Sequence, residues 1–213
     1  MPRRKMVENQ LRANKVTDEA VLEAMGRLPR ERFVPERFVG LAYVDEDLPL
    51  GGGRYMMEPM VLARLAQALE IQGDQIVLDV GCGLGYSTAL LASLSGTVVA
   101  TEESADLAAK ANETLNELGV DNAVVVEAPL PAGYAKQAPY DAILLNGAVP
   151  EIPQSLIEQL SSKGRMALVI KRGSGMGRAV LVERFGDSLA ERTLFDAGTP
   201  ELAGFQREEG FVF

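Results

Sequence analysis

Asp79-Val-Gly81-Cys82-Gly83-Leu-Gly85 is the stretch best able to hold a small polar ligand. Glycines at alternate positions tolerate positive φ and let a ligand approach the backbone closely. They stand between an apolar run, Val77 to Val80, and a helix-forming stretch that begins at Tyr86. A strand, a glycine turn and a helix in that order put unpaired N–H groups at the carboxyl edge of a sheet, where an anionic or strongly polar ligand is favoured. A second apolar run, Thr97 to Thr101, closes on Glu102 and Glu103. A carboxylate there suits a ribose diol. The dinucleotide fingerprint places its third glycine later than Gly85 and has an apolar residue where this chain has Asp79. Asp79 has a second reading, as a residue that stabilises the turn by accepting backbone N–H groups.

What is missing narrows the chemistry further. The 213 residues contain no histidine and one cysteine, Cys82. That removes serine–histidine and cysteine–histidine catalysis, an internal disulfide framework and cysteine-cluster zinc, so no metal is expected. Cys82 reads as a small spacer between glycines rather than a nucleophile. Net charge is −9, with 21 basic against 30 acidic residues, which argues against a broad phosphate-neutralising face and hence against nucleic acid as a partner. No apolar run reaches membrane-spanning length, and Met1-Pro-Arg-Arg-Lys5 has no apolar segment behind it. A cytoplasmic protein of one domain, residues 1–213, is the expectation.

The elements that must position this turn follow from periodicity. Residues 6–40 read as helices, one of them started by Thr17 or Asp18 as N-cap before Val21, Leu22 and Met25. Leu41 to Leu50 reads as an extended polar connection, Gly51 to Gly53 as a flexible hinge, and a helix from Pro59 to about Ile71 follows. Strands are expected over 76–80, 97–101, 123–127, 140–146 and 164–171, with helices near 86–94, 104–118 and 153–161. That alternation implies right-handed βαβ units and a parallel sheet covered on both faces. Arg178–Phe185 and Ala190–Asp196 flank Gly186-Asp187 as an antiparallel hairpin, and Phe211 to Phe213 reads as a closing strand.

An acidic residue before G-x-G-x-G, with a carboxylate closing the next strand, resembles the S-adenosylmethionine site of class I methyltransferases. Beyond that turn, the chain resembles the protein-L-isoaspartate O-methyltransferases over about its first 170 residues. The likeness rests on Met6-Val-Glu-Asn-Gln-Leu11, Pro29-Arg-Glu-Arg-Phe-Val-Pro35, Ala42-Tyr43, Leu48-Pro-Leu-Gly51, the glycine turn and Pro139-Tyr-Asp-Ala-Ile143. The resemblance implies an α/β fold, a Rossmann-like class I methyltransferase sandwich. Its mostly parallel sheet ends in an antiparallel hairpin and carries an N-terminal helical cap. Residues 1–58 would form the cap and substrate loop and 59–213 the core. It implies S-adenosyl-L-methionine as cofactor and isoaspartyl protein or peptide as partner, the α-carboxylate of isoaspartate being esterified. Cofactor contacts are implied at Asp79, Gly81, Cys82, Gly83, Gly85, Tyr86, Glu102, Glu103, Glu127, Ala128 and Asn146.

Two departures from the family pattern bear on the substrate side. The family's functional serine falls on Met57, in a run Arg54-Tyr55-Met56-Met57-Glu58. Methionine has no donor for a carboxylate, whereas Arg54 can grip one through two bonds and Tyr55 can supply a hydroxyl. The family's aspartate near adenine falls on Ala128, beside Glu127. A changed substrate loop is therefore expected. Alternative readings are a methyltransferase for another protein group or an unknown small molecule, and a cofactor-binding protein without turnover. The absence of histidine suits carboxyl transfer, because a carboxylate of pKa near ~4 needs no general base at neutral pH.

Overall fold

The computed structural model of the chain describes residues 2–205. Its strands are β1 Leu48–Gly51, β2 Arg54–Met56, β3 Ile76–Val80, β4 Thr97–Glu102, β5 Ala123–Glu127, β6 Tyr140–Val149, β7 Leu160–Ile170, β8 Gly177–Phe185 and β9 Ser188–Ala197. The α-helices are α1 Pro2–Met6, α2 Glu19–Arg27, α3 Pro59–Leu69, α4 Tyr86–Ala92, α5 Ala105–Glu117 and α6 Gln154–Ile157. Strands β3 to β9 form one seven-stranded sheet in the order β5-β4-β3-β6-β7-β8-β9, while β1 and β2 pair separately. Pairings from β5 across to β7 are parallel, and β8 and β9 add antiparallel. This is the α/β sandwich with a C-terminal hairpin that the sequence predicts.

The near-continuous apolar strands are explained by burial on both faces of the sheet. Val77 packs to one side and Leu78 and Val80 to the other. The same alternation divides Ala142 and Leu144 from Ile143 and Leu145 on β6, and Ala167 and Val169 from Met166 and Leu168 on β7. The first face receives the N-terminal helices with α3, α4 and α5, through residues such as Met25, Phe33, Leu65, Leu90 and Leu115. The second face receives Leu156 and Ile157 of α6, Leu130 and Leu202. Local signals set the helix starts. Asp18 accepts the N–H groups of Ala20 and Val21 at 2.9 and 3.2 Å, Pro59 opens α3, and Ser104 accepts Leu107 N–H at 3.4 Å.

Several expectations are corrected. The helix expected over 153–161 is the single turn of α6, because Leu160 is already paired with Tyr140 and the chain has entered β7. Gly51 to Gly53 is a closed hairpin turn rather than a hinge: β1 and β2 pair Leu48 with Met56 and Pro49 with Tyr55, and all three glycines have positive φ. The connection 41–50 begins in a 3₁₀ segment, Glu36–Leu41, and becomes extended only at Leu48. The N-terminal helical region starts at Pro2 and passes through a π-helical turn, Val7–Leu11. Phe211 to Phe213 lies outside the described residues. Among the described residues, no helix is long and apolar enough to cross a membrane.

After β9 the chain turns back along the sheet. Ala148 N–H donates to Pro200 O at 2.8 Å and Leu202 N–H to Ala148 O at 2.7 Å, forming a parallel bridge between Ala148 and Glu201. This strap buries Leu202 beside Gly81 and Gly147.

Candidate functional site

Strand β3 has β4 on one flank and β6 on the other. The order reverses there, opening a crevice outside the carboxyl ends of the strands. The turn after β3 has Gly81, Gly83 and Gly85 at φ 75°, 58° and 92°, all in the left-handed region that glycine adopts without strain. The N–H groups of Gly81, Cys82 and Gly83 are committed within the protein. Those of Gly81 and Cys82 donate to Thr101 O at 2.8 and 3.2 Å, and that of Gly83 donates to Glu102 Oε2 at 2.8 Å. These three are not free donors for an anion, and one of them is held by a carboxylate.

That carboxylate is Glu102, at the end of β4 and fully buried. Besides Gly83 N–H, it accepts the N–H groups of Glu103 and Ser104 at 3.0 and 3.1 Å. Its remaining partner is the guanidinium of Arg54, which donates from Nε at 3.2–3.3 Å and from Nη2 at 3.1 Å. The Arg54 Nη2 also donates to Gly81 O at 2.6 Å. Glu102 and Glu127 lie opposite one another in register at the carboxyl ends of β4 and β5, and Ala128 N–H donates to Glu102 O at 3.1 Å. Glu103 and Glu127 are exposed.

Asp79 is also fully buried, but it braces side chains rather than backbone N–H groups. Its Oδ2 accepts the hydroxyls of Ser87 and Thr88 at 2.8 and 2.7 Å, tying the turn to α4. Its Oδ1 accepts Asn146 Nδ2 at 2.6 Å. Asn146 reaches back because the register of β6 on β7 slips between Leu144 and Ala148. Burial pushes the Asp79 pKa up to about 6, opposed by the three hydrogen bonds and reinforced by nearby Glu102. Burial also pushes the Cys82 thiol up, with Asp79 and Glu102 adding to it. A thiol so protonated is a poor nucleophile, consistent with a spacer.

The hairpin of β1 and β2 forms the other wall. Leu50 and Met57 are buried, and Tyr55 is 38% exposed at the rim. Tyr55, Met57 and Asn146 border two adjoining cavities, one backed by Phe33, Leu62 and Tyr86 and the other by Asp47, Gly147 and Thr199. Of the loop residues singled out in the sequence, Met57 and Tyr55 line both cavities and Arg54 borders the second, with its guanidinium directed at Gly81 and Glu102. Tyr86 packs: its ring meets Phe33 edge-on at 5.5 Å between centroids and carries the Arg30 guanidinium at 4.7 Å.

Sequence reasoning assigned no role to Arg30, Leu50, Ser87, Thr88 or Leu202. Arg30 is fully buried, donating Nε to Ala42 O at 2.7 Å and Nη2 to Met57 O at 2.6 Å. It thereby pins the loop that carries Met57. The only available signal was its place in Pro29-Arg-Glu-Arg-Phe33; nothing in the sequence told it apart from exposed Arg32.

Glu58 follows Met57 at the start of α3, where Asp47 accepts its N–H at 2.9 Å. Partial burial, together with Asp47, Asp45 and Glu46, raises the Glu58 pKa to about 7. A carboxyl whose folded pKa is raised takes up a proton on folding, so stability falls as pH climbs from its ordinary value to about 7. Glu58→Gln removes that penalty. Thermal melts are expected to show a gain at pH 8 and none near pH 4. Solvent screening of this half-buried group keeps the gain below about 1 kcal/mol, or roughly 2–4 °C. A gain of equal size at both pH values would contradict the assignment.

S-adenosylmethionine, implied by the sequence resemblance, fits these residues in kind: a glycine turn, a buried carboxylate one strand away and an apolar wall. In the conformation seen, the space over the turn holds the chain's own side chains. A Cβ on Gly81 would stand 2.5 Å from Arg54 Nη2 and 2.9 Å from Leu202 Cδ1, and one on Gly83 would stand 2.5 Å from Leu50 Cδ1.

Comparison with known proteins agrees with this arrangement. The family profile for protein-L-isoaspartate(D-aspartate) O-methyltransferase matches residues 2–195. The protein-L-isoaspartate O-methyltransferase 2 of Anaeromyxobacter sp. (strain Fw109-5) is 48% identical over 164 residues, covering 77% of this chain and 68% of that protein. The protein-L-isoaspartate O-methyltransferase 1 of Syntrophobacter fumaroxidans is 38% identical over 209 residues, covering 98% and 97%. Among solved structures, a protein-L-isoaspartate O-methyltransferase superposes with TM-score 0.84 at 23% identity, covering 95% of this chain and 67% of that one. A Plasmodium falciparum beta-aspartate methyltransferase, solved in complex with S-adenosyl-L-homocysteine, superposes with TM-score 0.79 at 21% identity, covering 95% and 98%. At these identities the two structures speak for the fold.

Proposed function

Because the chain belongs to the protein-L-isoaspartate(D-aspartate) O-methyltransferase family, we propose that the crevice between the glycine turn and the β1–β2 hairpin is where it methylates isoaspartyl carboxylates. The chain is an S-adenosylmethionine-dependent methyltransferase. Bound there, the cofactor supplies an electrophilic methyl group on a sulfonium. The chain's own residues bind and orient. Glu102 accepts the ribose hydroxyls, Asp79 holds Asn146 and α4 in place, and Glu127 with Ala128 borders the adenine end. Gly81, Gly83 and Gly85 permit close approach, with Cys82 and Tyr86 completing the turn.

The observation that carries this reading is a fully buried Glu102 that accepts an N–H of the glycine turn and is joined through Arg54 to the hairpin that bears Tyr55 and leads into Met57. The acceptor carboxylate is already ionised, so the site's work is to hold it near the methyl and keep water out. Met57 and Tyr55 serve as wall, with Tyr55 able to donate a hydroxyl. The protein substrate is a damaged chain carrying isoaspartate, and the enzyme works in the cytoplasm. Residues 1–58 act as cap and substrate loop on the 59–213 core, within one methyltransferase domain.

Radiolabelled cofactor tests this directly. Label is expected to pass to an isoaspartyl peptide at least about tenfold faster than to its aspartyl twin, and the product is expected to be a base-labile methyl ester. Equal labelling of the two peptides, or a base-stable product, would overturn the reading.

A further inference from the structure

We infer that Arg54 is a latch on the cofactor site: it pairs with Glu102 in the free enzyme, and once the cofactor claims Glu102 it serves the acceptor carboxylate instead. This rests on the reading that Glu102 is the ribose acceptor.

The reasoning is one of exclusion. The Arg54 guanidinium donates to both Glu102 oxygens and to Gly81 O, and both side chains are buried, at 5% and 0% exposure. Its Nη2 stands 2.5 Å from where a Cβ on Gly81 would be, closer than van der Waals contact allows. A ligand seated against Gly81 cannot share that space. A ribose hydroxyl donating to Glu102 also competes for the lone pairs Arg54 now uses. Cofactor binding and the Arg54–Glu102 contact are therefore mutually exclusive.

The position of Arg54 decides where it goes next. It is the first residue after the Gly51–Gly53 turn, and all three turn glycines have open space around them. The next residue, Tyr55, lines the crevice with Met57 and Asn146. Once displaced, the guanidinium stays at the mouth of that crevice without its counterion. A carboxylate matches it in charge and in its two-pronged geometry. The cofactor is then required before substrate, and the cation that Met57 cannot provide arrives only when a methyl group is ready. A latch of this kind raises the apparent dissociation constant of the cofactor in inverse proportion to the fraction of molecules found open.

Calorimetry with S-adenosylhomocysteine needs no turnover. Arg54→Ala is expected to bind it at least tenfold more tightly than the native protein; unchanged or weaker binding overturns the latch. Should that variant fail to fold, the native protein still decides. With ¹⁵N-labelled arginine, the Arg54 Nε–H is expected to be protected from exchange and to lose protection on saturation with S-adenosylhomocysteine, whereas persistent protection overturns the latch. Anisotropy of a fluorescent isoaspartyl peptide tests the second half. The peptide is expected to bind the native protein at least tenfold more tightly with S-adenosylhomocysteine present, and Arg54→Ala is expected to lose that gain. Equal binding with and without it overturns the transfer of Arg54 to the acceptor. If no isoaspartyl peptide is bound or methylated while the calorimetric gain is found, the latch stands and the substrate reading falls.

Discussion

Glu102→Ala is expected to weaken S-adenosylhomocysteine binding by about tenfold to a hundredfold and to destabilise the fold by about 3–5 kcal/mol. The first figure follows from the proposed role of Glu102, whose loss would leave the ribose hydroxyls without an acceptor. The second has a separate cause. Glu102 is the counterion of buried Arg54 and the acceptor for the N–H groups of Gly83, Glu103 and Ser104. Removing one partner of a buried pair strands the other charge, and the stranding accounts for most of the cost. A double-mutant cycle separates the effects. In the double variant Glu102→Ala, Arg54→Met no cation is stranded, so its denaturant midpoint should lie above that of Glu102→Ala alone, while cofactor affinity stays low. Identical midpoints for the single and double variants would show that the pair is not coupled.

Arg30→Ala is expected to cost about 3–5 kcal/mol, read from the shift in denaturant midpoint. Two hydrogen bonds from a charged donor are lost, each worth roughly 1.5–3 kcal/mol, and the carbonyls of Ala42 and Met57 stay buried without it. The guanidinium also leaves the face of Tyr86. Arg30→Lys should recover little, because one ammonium cannot reproduce a planar fork reaching both carbonyls while stacking on a ring. Exposed Arg32, two positions on and paired with Glu117, supplies the control. Its alanine variant should cost at most about 1 kcal/mol, as surface pairs do. If Arg30→Ala were as mild as Arg32→Ala, Arg30 would not be what fixes the Met57 loop.

These two arginines show which features were readable in the sequence. Strand alternation, the glycine turn, Asp18 and Pro59 at helix starts, and Glu102 at the end of β4 are local signals, each decided within a few residues. Direction across the fold is not local. Arg54 reaches Glu102 over 48 positions of sequence, and Arg30 reaches Met57 over 27. The chain codes an arginine in either case, and only packing decides whether it is solvated, stacked or buried against a carboxylate. Asp79 illustrates the intermediate case. Its position was legible, but its partners Ser87, Thr88 and Asn146 depended on how α4 and the slipped end of β6 settle around it. The shortened α6 has a similar origin, since Leu160 was claimed by Tyr140 across the sheet.

The strap that joins Glu201 to Ala148 has a consequence for biosynthesis. Translation proceeds from the N-terminus, and domains fold as units while the chain emerges. A nascent chain extruded as far as Ala197 already contains every strand of the seven-stranded sheet, yet it lacks Leu202, which lies over Gly81 and Gly147. During that interval Gly81 is covered by Arg54 but not by Leu202, and the N–H and C=O of Ala148 lack the partners that Pro200 and Leu202 supply. The site reaches its finished shape only when residues 199–202 have left the ribosome and docked. Ribosome-bound intermediates arrested on either side of that segment would thus differ in the solvent protection of Gly81 and Ala148 while sharing the same sheet.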